Sequence, residues 1–170
     1  MNTMKLFKAI KLSGIFLLII GFFACGGVSK NEALAYNEDI VDGQLKVITA
    51  FNNWNNSEEN SDSLFQILDN VVESELKRSE TMKNLGEDAS FKDAYITFLN
   101  DTKKFLVNED ELLKRVNQMM EEGDLTEQEV DALKLEEQNL NDIYDKNQNE
   151  FLAKQKAFTD KYGLVLEDKK

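Results

Sequence analysis

From residue 31 onward, apolar side chains return every three or four positions, and strand-like alternation is absent over any useful length. The first such segment, about 31–55, spaces Tyr36, Ile40, Gly43, Val47, Ala50 and Trp54 by fours and threes. Val41, Ile48 and Phe51 widen this seam into a face. The second, about 62–85, turns Leu64, Phe65, Leu68, Val71, Val72, Leu76 and Met82 inward, with Ser61 as its expected cap and Glu75 and Ser79 interrupting the seam. The third, about 90–121, reads Phe91, Tyr95, Phe98, Thr102, Phe105, Glu109, Leu112, Val116 and Met119, with Leu99, Leu106, Leu113 and Met120 on the adjoining row. The fourth, about 127–162, uses Val130, Leu133, Leu140, Tyr144, Phe151 and Phe158.

Punctuation agrees with four helices. Proline is absent, so nothing in the composition breaks a long helix. Gly86, Gly123 and Gly163 each follow a helical pattern, where a left-handed residue is expected to end it. The best-specified junction is Gly123-Asp124-Leu125-Thr126-Glu127-Gln128-Glu129-Val130. Thr126 and Glu129 can form a reciprocal capping box, with Leu125 and Val130 at the staple positions. Short connections favour antiparallel neighbours, so the expected fold is all-α, an up-down-up-down antiparallel four-helix bundle. Gly43, on the inward seam, costs ~1 kcal/mol against Ala in a helix and predicts close approach of a bulky neighbour.

Ahead of the helices stands a different pattern. Lys5, Lys8 and Lys11 precede a twelve-residue apolar run from Leu12 to Phe23, then Ala24 and Cys25. That run is short of the ~20 residues a spanning helix needs, and its charged flank and small residue before cysteine are those of an export signal. The stretch Phe22-Phe23-Ala24-Cys25 resembles the bacterial lipobox, with Phe22 where Leu is usual. The resemblance implies a signal peptide over 1–24, cleavage before Cys25, and acylation of that cysteine. Residues 25–30 would form a lipidated tether and 31–170 one bundle domain. With two or more acyl chains, anchoring becomes stable rather than marginal. The expected address is the bacterial cell envelope, most simply the outer membrane.

Charge narrows the partners. The whole chain carries −12, and removing residues 1–24 takes away three lysines and no acids, leaving −15. Phosphate backbones and anionic lipid surfaces both call for Lys/Arg, so nucleic acid is excluded as a partner and lipid must supply the attachment. Acylation of the sole cysteine removes disulfide and thiolate chemistry.

Absent residues exclude much catalysis. Without histidine there is no Ser-His-Asp triad, no Cys-His pair, no haem-ligating histidine and no ExxH di-iron site. No phosphate loop or GxGxxG occurs. Asp145-Lys146-Asn147-Gln148-Asn149-Glu150 opens like a calcium loop but carries Glu150 where glycine is needed and Lys156 where the bidentate Glu belongs. The expectation is a protein that is not an enzyme, with no catalytic, cofactor or metal residues. Glu75, Glu109 and Glu137 fall on seams, and the sequence leaves their burial open.

Recognition is expected at the end remote from Cys25. The loop read over Asn52–Ser57 offers Trp54, either as an aromatic anchor for a protein or glycan or as a cap on the core. Glu121, Glu122 and Asp124 flank the Gly123 turn as exposed charges. The lipobox, the Gly-Gly tether and Ala35-Tyr36-Asn37-Glu38-Asp39-Ile40-Val41 together resemble small uncharacterised helical surface lipoproteins of Bacteroidota and spirochaetes. That resemblance implies an exported, lipid-anchored helical bundle of unknown activity and carries over no functional residue. By elimination of the chemistries above, the expected role is to present the bundle to a protein or envelope component. The alternative is a periplasmic carrier holding a ligand or metal in the bundle core.

Overall fold

The computed structural model describes residues 27–57 and 61–164; the signal, Cys25 and the last six residues lie outside these. The described residues form four α-helices and no named strand: α1 (Lys30–Asn56), α2 (Ser61–Thr81), α3 (Ser90–Glu122) and α4 (Glu127–Lys161). All four agree with the sequence pattern, with differences at the ends.

α1 begins inside the segment read as tether. Ser29 caps it, accepting from the Glu32 amide at 3.2 Å while its own amide donates to Glu32 Oε2 at 2.7 Å. Helix α1 also continues through Asn52–Asn56, which sequence reasoning placed in a loop. Asparagine is a weak helix former, but the burial of Phe51 and Trp54 overrides it. Helix α2 starts at Ser61 itself rather than after it, and stops four residues before the expected end. Its last turn is loosened from within: Ser79 and Thr81 hydroxyls donate to the carbonyls of Leu76 and Arg78, and Lys92 reaches the carbonyl of Met82 at 3.2 Å.

The other boundaries follow cap chemistry. Asp88 Oδ1 accepts from both the amide and the hydroxyl of Ser90, at 2.9 and 2.6 Å, and ends the α2–α3 turn. The Thr126–Glu129 box opens α4. At its end, Gly163 (φ 62°) donates to the Asp160 carbonyl and Leu164 to that of Thr159, a Schellman arrangement that seats Leu164 in the core. Gly123 departs from expectation: its φ of 159° and ψ of −170° are a glycine conformation, but not the left-handed helical one.

Side-chain pairs set the register. Between α1 and α4, Tyr36 meets Phe158, Asn37 meets Gln155 and Phe51 stacks on Tyr144, so numbers rise in one helix as they fall in the other. The same inverse order holds for α1 with α2 (Asp39–Arg78, Lys46–Glu75, Trp54–Phe65) and for α3 with α4 (Phe91–Phe158, Phe98–Phe151, Phe105–Tyr144). The core is largely aromatic. Phe51, Phe105 and Tyr144 form one group with ring centroids 5.0–5.8 Å apart, and Phe91, Phe151 and Phe158 another at 4.7–5.7 Å. Such contacts add ~0.5–1.5 kcal/mol each beyond the area they bury.

Candidate functional site

Three places hold unusual chemistry. The first is a buried ion cluster where α1, α2 and α3 meet. Glu75, only 3% exposed, accepts from Arg78 Nε at 2.6 Å, from Lys46 Nζ at 3.1 Å and from the Tyr95 hydroxyl at 3.1 Å. Arg78 also binds the Asp39 carboxylate at 2.7 Å and its carbonyl at 3.0 Å. Burial alone would raise the Glu75 carboxyl, but the bonds from Arg78 and Lys46 outweigh it and hold it below the usual range. Gly43 makes room for this: a Cβ there would lie 2.2 Å from the Tyr95 oxygen, 2.4 Å from Arg78 and 2.5 Å from Glu75. Every carboxylate oxygen of Glu75 is engaged, so the cluster ties three helices together and has no position left for a ligand.

The second is Glu109, 7% exposed on the α3 seam, which accepts no hydrogen bond among the described residues. Burial first, and the half-buried Glu137 of α4 second, push its carboxyl up to about 7. Burial raises Glu137 as well. The structure thus brings Glu109 and Glu137 together and leaves Glu75 in its own cluster. No group of three or more Asp, Glu, Cys or His able to hold a metal occurs among the described residues. The calcium-like run 145–150 is helical and lies within α4.

The third is the end of the α3–α4 hairpin. Glu121, Glu122 and Asp124 are all exposed there, as the sequence expects. Trp54 is not part of this surface. It is 9% exposed and packs edge-on against Phe51 and Phe65 at 5.5 and 5.8 Å, so it caps the core, the second of the two roles the sequence offers. Position 54 lies on the inward seam of α1 with Val47 and Ala50, as the spacing of that segment expects.

The greater length of the third and fourth segments in the sequence points to a hairpin of which part projects past the bundle, and the structure shows where burial stops. From Leu113 to Ile143 no residue is buried, although the heptad pattern runs on unbroken. Leu99 and Leu106 are 0% and 1% exposed; Leu113 is partly exposed, and Met120 43%. Ile143 and Leu135, on α4, are 56% and 60% exposed. The signal was available in the lengths: α1 and α2 have 27 and 21 residues, against 33 and 35 for α3 and α4.

No protein-family model matches the chain, and no curated protein or solved structure matches it significantly. No helix among the described residues is long and apolar enough to cross a membrane.

Proposed function

We propose that this chain is a bacterial envelope lipoprotein, acylated at Cys25 and held by lipid at the outer membrane, whose helices form an up-down-up-down bundle that presents the α3–α4 tip to a protein partner. On this reading it is a binding or scaffolding protein and not an enzyme. The observation that carries it is the end of burial at Leu113, which leaves an apolar and charged hairpin end free of the bundle. Orientation supports it. The start of α1 shares its end of the molecule with the Gly86 turn and the close of α4, as Val28 beside Gly86 and Lys161 paired with Asp88 indicate. With lipid on Cys25, three residues ahead of Val28, this reading turns the Gly123 end away from the membrane. With Trp54 in the core, a glycan loses its aromatic platform, which favours a protein.

The test is capture of partners from solubilised membranes by the intact lipoprotein, wild type against a triple variant Glu121→Lys, Glu122→Lys, Asp124→Lys. All three side chains are exposed, so the fold is expected to be unchanged. Exposed charges govern association rate and its salt dependence, so the variant should recover its partner more slowly at low salt. Unchanged capture would move recognition away from the tip.

A further inference from the structure

The heptad rows of α3 pass through two environments. Lower in the bundle, the rows Phe91-Phe98-Phe105-Leu112 and Leu99-Leu106 are at most 6% exposed, with Phe51 of α1 against Phe105 and α2 alongside through Glu75–Tyr95. Beyond Leu112 the same rows continue as Leu113, Met119 and Met120, now partly or largely exposed. Helix α4 shows the same change: Phe158, Phe151 and Tyr144 are 2–4% exposed, while Val130 and Leu133 are only partly covered. Ten residues of α3, ~15 Å of helix, lie past the last buried position. Along this length α3 and α4 have each other, and no other described helix covers their shared face.

The charge around that face is one-sided. Residues 113–143 carry nine acidic side chains against three basic ones, Lys114, Arg115 and Lys134. Arg115 is already paired with Glu136, and Lys114 with Asp110 at 2.5 Å. A second copy of this chain would set the same excess of acids against itself, at a cost in repulsion. A helix bearing the opposite charge meets both demands of the surface.

We propose that the bare face of the α3–α4 tip is a docking groove for a cationic amphipathic helix of a partner protein, which takes there the place that α1 and α2 take lower in the bundle. The inference rests on the reading of the tip as the recognition end and adds the chemistry of what it recognises. Leu113 and Met120 would receive the apolar anchors of the incoming helix at i, i+3, i+4, i+7 spacing. The surrounding acids would steer its lysines and arginines and set partner choice.

The test uses the whole lipidated chain in nanodiscs of zwitterionic lipid, with empty nanodiscs as the blank. The probe is a fluorescent 18-residue Leu/Lys peptide of amphipathic helical pattern, compared with a scrambled peptide of the same composition and with a Leu/Glu peptide of the same pattern. The Leu/Lys peptide should bind at least about tenfold more tightly than either control, a difference of ~1.4 kcal/mol. Leu113→Asn with Met120→Asn should remove that advantage at unchanged helicity, and Met120→Asn alone should reduce it. Equal binding of the scrambled peptide, or undiminished binding by the double variant, overturns the groove. So does wild-type self-association lost in the double variant, since the face then belongs to a second copy. If the peptide fails while the triple charge variant still slows membrane capture, the helix inference falls and the tip remains the site. If the peptide binds but capture is unaffected by charge reversal, the groove stands and the functional reading falls.

Discussion

An ideal Cβ built on Gly43 would lie 2.2 Å from the hydroxyl oxygen of Tyr95, closer than any real contact, so the ion cluster exists only because position 43 lacks a side chain. Gly43→Ala therefore sets two effects against each other. Helix propensity gains ~1 kcal/mol, whereas overpacking typically costs ~1–3 kcal/mol. Here three polar groups must move at once, and Glu75 is too buried to find water instead. Net destabilisation of ~1–2 kcal/mol is expected in urea unfolding. Tyr95→Phe removes the nearest atom, so it should cost less in the Gly43→Ala background than in wild type. Strict additivity of the two changes would show that the close approach does not constrain the fold.

Glu109 gives the protein a stability that depends on pH near neutrality. Its carboxyl, at about 7 in the fold, lies above the ~4.3 of an unfolded chain. The folded state thus binds the proton more tightly, and the stabilisation is complete below the unfolded value and lost as pH rises through about 7. Wild type should become less stable between pH 5 and 8, by on the order of 2 kcal/mol, and Glu109→Gln should flatten that slope. Glu75 and Asp88 are held low, Asp88 at about 2 through its pairing with Lys161 and its bonds from Ser90, so their losses fall in acid, outside this window. Thermal unfolding of both proteins across pH 5–8 measures the difference. Parallel curves would mean that Glu109 is hydrated in the folded state.

The helices and the need for space at Gly43 were legible in the sequence because both are local. A heptad seam, a Thr126–Glu129 box and a glycine on an apolar face each carry their meaning within a few residues. The Ser29–Glu32 box was equally local, but the preceding glycine pair drew those residues into the tether. The ion cluster was not legible: Asp39, Lys46, Glu75, Arg78 and Tyr95 come from three helices, and only their register brings them together. Trp54 was legible only as two alternatives: the four neighbouring asparagines read as a loop that would expose it and the seam turned it inward, and packing against Phe51 and Phe65 decides for the core. The bare tip was legible only in outline, from the greater length of the third and fourth segments. A seam shows that a face is apolar, not how far its partner helices extend along it.

The central claim is that Cys25 carries lipid and so fixes which end of the bundle faces away from the membrane. The most direct measurement is metabolic labelling with a palmitate analogue, comparing wild type with Cys25→Ser. Wild type should take up label and appear at the size of a chain cleaved before Cys25. The variant should be unlabelled and keep residues 1–24, because the signal peptidase acts on the acylated cysteine. Label on the Cys25→Ser protein, or wild type that is never labelled, would contradict the account.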